Sequence, residues 1–246
     1  MLPQRAKIRV MTPDGEPNAA WSRRYSVRAR RLSVRVFFDG RVELVVPRGM
    51  EEGSIEAFVE RHRAWVASRL ASFGAARPMV ASLPPTEIDL TAIGERWTLR
   101  STSSAGRSGL REVEFGLLEW RGEPCSSQTG QALRRWLHGR AEQVASPRFT
   151  ARADAGGYRF AALRWRRQRT RWGSCSSRGV VSLNLCGLFQ APEVLDYLFC
   201  HELAHTRYLN HSAAYWAEVA RICPNWADHD RALRGGWRRV PTWMFV

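Results

Sequence analysis

The chain has 246 residues, 44% apolar and 25% charged, which is enough for one large domain or two small ones with a sizeable buried core. No apolar run approaches the roughly 20 residues of a membrane-spanning helix, and Met1 to Arg24 lacks the apolar stretch of a secretory signal, so the expectation is a cytoplasmic protein with no membrane partner. The net charge is +15, nearly all from arginine because Lys7 is the only lysine, and five cysteines without CxxC spacing argue against a disulfide framework or a zinc ribbon.

In chain order, residues 1 to 24 are polar and Pro-containing and read as a flexible tail. Tyr25 to Phe38 reads as a strand, and Asp39-Gly40 followed by Val42, Leu44 and Val46 signals a hairpin. Ser54 is a candidate N-cap for a helix whose apolar stripe runs Ile55, Phe58, Val59, His62, Trp65, Val66 and Leu70, with His62 at the edge of the core. Gly74 to Pro85 reads as a linker. Short strands follow at Ile88 to Leu90, Trp97 to Arg100 and Val113 to Trp120, with a Ser/Gly loop from Ser101 to Gly109. A second helix runs from Ser127 to about Phe149, and His138 beside its stripe is structural. Leu163 to Cys175 and Val180 to Leu188 read as a hairpin turning at Ser176 to Gly179. Pro192 stands just before a further helix.

That helix carries His201-Glu202-Leu203-Ala204-His205, an H-E-x-x-H motif. Histidines at i and i+4 lie about 40° apart around a helix, so both rings reach one metal ion, while Glu202, displaced by about 100°, is placed to touch a metal-bound water rather than the metal. Val194, Leu195, Tyr197, Leu198, Phe199, Cys200, Leu203 and Ala204 clothe the helix almost all round, which predicts burial. Buried His and Glu side chains need strong partners, and a divalent cation is one. A catalytic zinc takes three protein ligands and leaves one position open. His211 is the third candidate: Asn210 can close the helix in a left-handed conformation and Ser212 can cap the next one, leaving His211 on the turn. His229, between Asp228 and Asp230 in a polar stretch, is the rival. Cys175 and Cys200 are not counted among the ligands.

Three stretches carry a family resemblance: Arg171-Trp172-Gly173-Ser174-Cys175; Ser182-Leu183-Asn184 with Ala191-Pro192-Glu193-Val194-Leu195-Asp196-Tyr197; and the H-E-x-x-H motif with Asn210-His211-Ser212 and Tyr215-Trp216. In these the chain resembles the YgjP-like metallopeptidases and, more distantly, SprT-like and other zincin peptidases. The resemblance implies one zinc ion held by His201, His205 and His211, with Glu202 catalytic. It also implies an α+β fold. A β-rich N-terminal part with helices (25–122) is followed by a zincin-like metal-binding part (127–246) with a β-hairpin and the H-E-x-x-H helix, as separate units or one continuous domain. Leu185-Cys186 departs from the Trp-Arg of many members. In zincin-like enzymes a strand near the site binds the substrate by edge pairing, and Arg171, Trp172, Gly173 and Ser174 are the candidates here. The expected activity is zinc-dependent hydrolysis of a peptide or protein substrate. The alternatives are a metal-dependent phosphohydrolase, whose basic surface would attract a nucleotide, and a zinc protein associated with nucleic acid. An organism-wide preference for arginine explains the charge equally well.

Overall fold

The structure, a computed structural model, describes residues 7–11, 17–37, 40–72, 84–103, 108–123 and 126–245. Contacts divide the chain into two compact units, residues 1–78 and 79–246. Both strands and helices build each unit, so the class is α+β, as expected.

In the first unit, strands β1 (Lys7–Met11), β2 (Pro17–Ser26), β3 (Ser33–Val36) and β4 (Val42–Pro47) form one sheet in the order β1-β2-β4-β3. Residues 7–11 and 17–26 are thus strands where the sequence reads as a tail. The expected strand from Tyr25 to Phe38 is two pieces, because β2 pairs in parallel with β4 and ends at Ser26, leaving Val27 exposed. The hairpin joining β3 to β4 forms as expected, with Gly40 at φ 80°; Phe38 and Asp39 lie outside the described residues. Val42, Leu44 and Val46 alternate onto a buried face. Helix α1 (Glu52–Ser72) starts two residues before Ser54. It buries Ile55, Val59 and Val66, but Trp65 is exposed. His62 is half-buried and its ring stacks on Phe58 at 3.9 Å, a core-edge position. Most of the expected linker, and Cys125, lie outside the described residues.

The second unit opens with strands β5 (Glu87–Leu90), β6 (Glu95–Thr102), β7 (Gly109–Glu114) and β8 (Leu117–Arg121) in the order β5-β6-β8-β7. The single strand expected over Val113 to Trp120 is a turn between two strands, made possible by Gly116 at φ 86°. Helix α2 (Ser126–Arg140) continues through a π-helical turn, 141–145, into α3 (Ser146–Ala155), six residues beyond the expected end. Strands β9 (Ala162–Arg166), β10 (Gly173–Cys175) and β11 (Val180–Asn184) form a small sheet in the order β10-β11-β9. The hairpin of β10 and β11 turns at Ser176 to Gly179 as expected, but its first arm is split, since β9 pairs with β11 in parallel. Helices α4 (Pro192–Ala204), α5 (Ala213–Ile222) and α6 (Trp226–Gly235) complete the unit.

Helix α4 is the core of this unit. Leu195, Tyr197, Phe199, Cys200, Leu203 and Ala204 have no measurable exposure. Each large apolar side chain so buried contributes about 1.5–3 kcal/mol, enough together to offset the cost of carrying a carboxyl group inside. Among the described residues no helix is long and apolar enough to cross a membrane.

Candidate metal centre

Helix geometry alone brings two candidate ligands together: the rings of His201 and His205, one turn apart, have centroids 5.0 Å apart. The helix stops earlier than the sequence suggests. It ends at Ala204, and His205 is its C-cap in the right-handed conformation. The Thr206 hydroxyl donates to the Leu203 carbonyl at 2.7 Å, and the Thr206 N–H donates to the same carbonyl at 2.9 Å, so the last turn tightens where the helix ends. Asn210 is not left-handed, as no non-glycine residue among those described has positive φ. Ser212 does cap α5, accepting from the Tyr215 N–H at 3.4 Å.

The loop between the two helices carries His211 and is anchored at Arg207. That guanidinium donates to Glu218 at 2.6 Å and to the Gly157 carbonyl at 3.0 Å, and lies 4.2 Å over the Tyr158 ring. Glu218 also accepts from Arg221 at 2.9 Å and from the Tyr158 hydroxyl. With its charge so well met, chiefly by Arg221, its carboxyl is held down to about 2.

This loop returns His211 to α4. One ring nitrogen from each of His201, His205 and His211 lies within 4.8 Å of the others, and the Nε2 atoms of His201 and His211 are 3.4 Å apart. The Nδ1 of His205 is 2.9 Å from the Tyr208 carbonyl, which only accepts, so Nδ1 holds the hydrogen and Nε2 keeps its lone pair. Burial first, then the neighbouring His205 and His211, push His201 down to about 3; His205 is lowered too, mainly by burial. These rings are therefore neutral near pH 7, the state in which imidazole binds metal. The donor set fits zinc: three imidazole nitrogens, with no fourth His, Cys or carboxylate ligand in the cluster among the described residues. Tyr215 stacks on His205 at 4.5 Å and donates to the His201 carbonyl at 3.2 Å, and Trp216 stacks on His211 at 5.7 Å. His229 is not in the cluster. It lies half-buried on α6 with its ring 6.4 Å from that of Tyr197.

Glu202 is 3% exposed, and its Oε2 is buried with no hydrogen-bond partner among the described residues. Burial pushes its carboxyl up to about 8, with the Arg171 charge opposing. Gly173 lies directly against it: a Cβ at 173 would stand 2.7 Å from the Glu202 Cδ and 2.9 Å from its Cγ, and closer still to Oε1. Trp172 stacks on Trp237 at 4.1 Å, and Ser174 pairs with Ser182 across the hairpin. The thiols have no part in the cluster. Burial pushes Cys175 up to about 11 and Cys200 up to about 12, so both are protonated and unreactive.

Gly173→Ala is expected to keep its metal while losing turnover. The new methyl group overlaps the carboxyl and turns it aside, and a displacement on the order of 1 Å in a reacting group costs roughly 10²-fold in rate. Steady-state kinetics and elemental analysis on the same preparation check this. Wild-type turnover would show that the Glu202 carboxyl position is not critical.

The contacts of Arg207, Glu218 and Tyr215 around the cluster emerge only in the fold. Tyr215 stands in the sequence as part of the family motif, three residues after the Ser212 cap. Glu218, eleven residues from Arg207, left no local signal.

A family model of the YgjP-like metallopeptidase domain matches residues 30–235. Among solved structures, the chain is similar to the metallopeptidase zymogen abylysin of Pyrococcus abyssi, at 27% identity and a TM-score of 0.30, over 32% of this chain and 81% of that one. None of the curated proteins compared matches the chain.

Proposed function

Because the chain belongs to the YgjP-like metallopeptidase family, we propose that it is a zinc peptidase in which His201, His205 and His211 hold one ion and Glu202 is the general base. The observation that carries this reading is the three-imidazole cluster beside the buried Glu202 carboxyl, whose Oε2 has no hydrogen-bond partner among the described residues. A zinc ion there would act as a Lewis acid and bring the pKa of a water to about 7. Glu202 accepts the proton of the attacking water and later delivers it to the amine leaving group. Burial makes its carboxylate a stronger base than an exposed one. Gly173, having no side chain, lets that carboxylate stand against the strand.

The substrate side is β10. It stands at the end of its sheet, with a strand neighbour on one side only among the described residues. Its free edge would take an extended peptide by backbone pairing, and Arg171 and Ser174 flank the position of attack. A phosphate ester has no use for such an edge, which favours the peptide.

Removal of metal tests the reading. Incubation with 1,10-phenanthroline is expected to abolish hydrolysis of unfolded casein or a fluorogenic peptide library, and stoichiometric zinc to restore it. Undiminished hydrolysis by protein shown to be metal-free would overturn the assignment.

A further inference from the structure

The His201 side chain continues inward to two groups that the reaction as described does not use. Its Nδ1 is 3.3 Å from the Tyr197 hydroxyl oxygen, one turn back on α4, and that hydroxyl is 2.9 Å from Oδ1 of Asp230 on α6. Asp230 in turn pairs with Arg234 at 2.6 Å. The carboxylate paired with Arg234 only accepts, so the single Tyr197 proton points to Asp230. The Tyr197 oxygen is then an acceptor toward His201, and His201 Nδ1 must carry its hydrogen. Its Nε2, the atom 3.4 Å from His211 Nε2, is left with the lone pair.

We propose that Tyr197 and Asp230 are positioning residues that fix His201 in its Nδ1–H tautomer and hold the ring so that Nε2 faces the metal. This rests on the three-histidine reading of the site. The two helices supply what such a device needs. Tyr197 has no exposure and so has one orientation, and Asp230 brings a negative charge to the far end of the chain. A hydrogen bond that ends on a carboxylate makes the imidazole a stronger donor to a cation, and outer partners of this kind are worth roughly 10–100-fold in metal affinity. His205 is fixed by a neutral backbone carbonyl instead, so the charge reaches the metal through His201 alone of these two. Burial of a tyrosine hydroxyl explains the bond to Asp230 but not why the same oxygen also meets a candidate ligand.

The test uses the full chain as Tyr197→Phe and Asp230→Asn, with the zinc dissociation constant read by competition with a chromophoric chelator. Long-range ¹H–¹⁵N correlation on the zinc-loaded protein reports the His201 tautomer. Both variants are expected to bind zinc roughly 10–100-fold more weakly, and the His201 Nδ1–H signal to lose its protection from solvent exchange in Tyr197→Phe. Unchanged affinity with an unchanged tautomer signal, even with a lowered melting temperature, would overturn the relay and assign Tyr197 to packing. If Tyr197→Phe does not fold, Asp230→Asn, altered at a side chain 18% exposed, decides by the same affinity measurement. Failure of the unaltered protein to bind zinc would overturn the metal site itself, and the relay with it.

Discussion

Glu202→Gln is expected to bind zinc as the unaltered chain does and to lose roughly 10²–10⁴-fold of its turnover, the range that a positioned general base contributes. The substitution keeps the shape of the side chain, which matters because the space is tight: Gly173 closes one side of it and only 3% of the residue is exposed. It removes only the capacity to accept a proton. Oε2 has no hydrogen-bond partner that could relay a proton, and the raised carboxyl owes its basicity to burial rather than to a neighbouring acid. The measurement is kcat on a validated peptide substrate together with zinc content by elemental analysis. Turnover near that of the unaltered chain, in protein free of contaminating peptidase, would remove Glu202 from the role of base.

His211→Ala is expected to lose zinc, and His229→Ala to keep it. His211 is exposed and its loop is anchored independently at Arg207, so its removal leaves the fold intact and deletes one of three donors. Loss of a direct donor should exceed the roughly 10–100-fold that an outer contact is worth. His229 faces Tyr197 from α6 and is outside the cluster, so its replacement touches packing rather than coordination. Equilibrium dialysis of both variants against zinc decides between them. Full zinc in His211→Ala, or its loss in His229→Ala, would reassign the third position.

What the sequence revealed about this region was governed by distance along the chain. The pairing of His201 with His205, the cap at Ser212 and the turn at Ser176 to Gly179 depend on residues within one or two turns of each other, and all were legible. The break between β9 and β10 was not. It arises because Asn184 reaches back to the carbonyls of Gln168 and Arg171, at 2.7 and 2.8 Å, and because β9 finds its partner in parallel across β11. A parallel neighbour leaves no turn signature to read. The end of α4 was misplaced because Asn210 is the conspicuous breaker by type, whereas the hydroxyl of Thr206 acts four residues sooner. Asp230 was passed over as one of two acids in a polar stretch, since its contact with Tyr197 spans thirty-three positions. Gly173 was visible as part of a motif, but its closeness to Glu202 belongs to the packing of a strand on a helix.

The anchor at Arg207 also bears on how much freedom the chain loses when an ion arrives. Ordering a free segment costs about 1–2 kcal/mol of backbone entropy per residue. In small zinc-nucleated domains that cost falls on metal binding, and the chain is unfolded without it. Between His205 and His211 part of that cost has been met already. Thr206 is tied to α4, Arg207 to Glu218 and to the carbonyls of Gly156 and Gly157, and Ser212 to the first turn of α5. None of these bonds involves a ring nitrogen of the three histidines. A metal ion bound by the three histidines would thus meet a loop ordered at these points by the protein's own folding, and that much less of its binding free energy would be spent on ordering the chain.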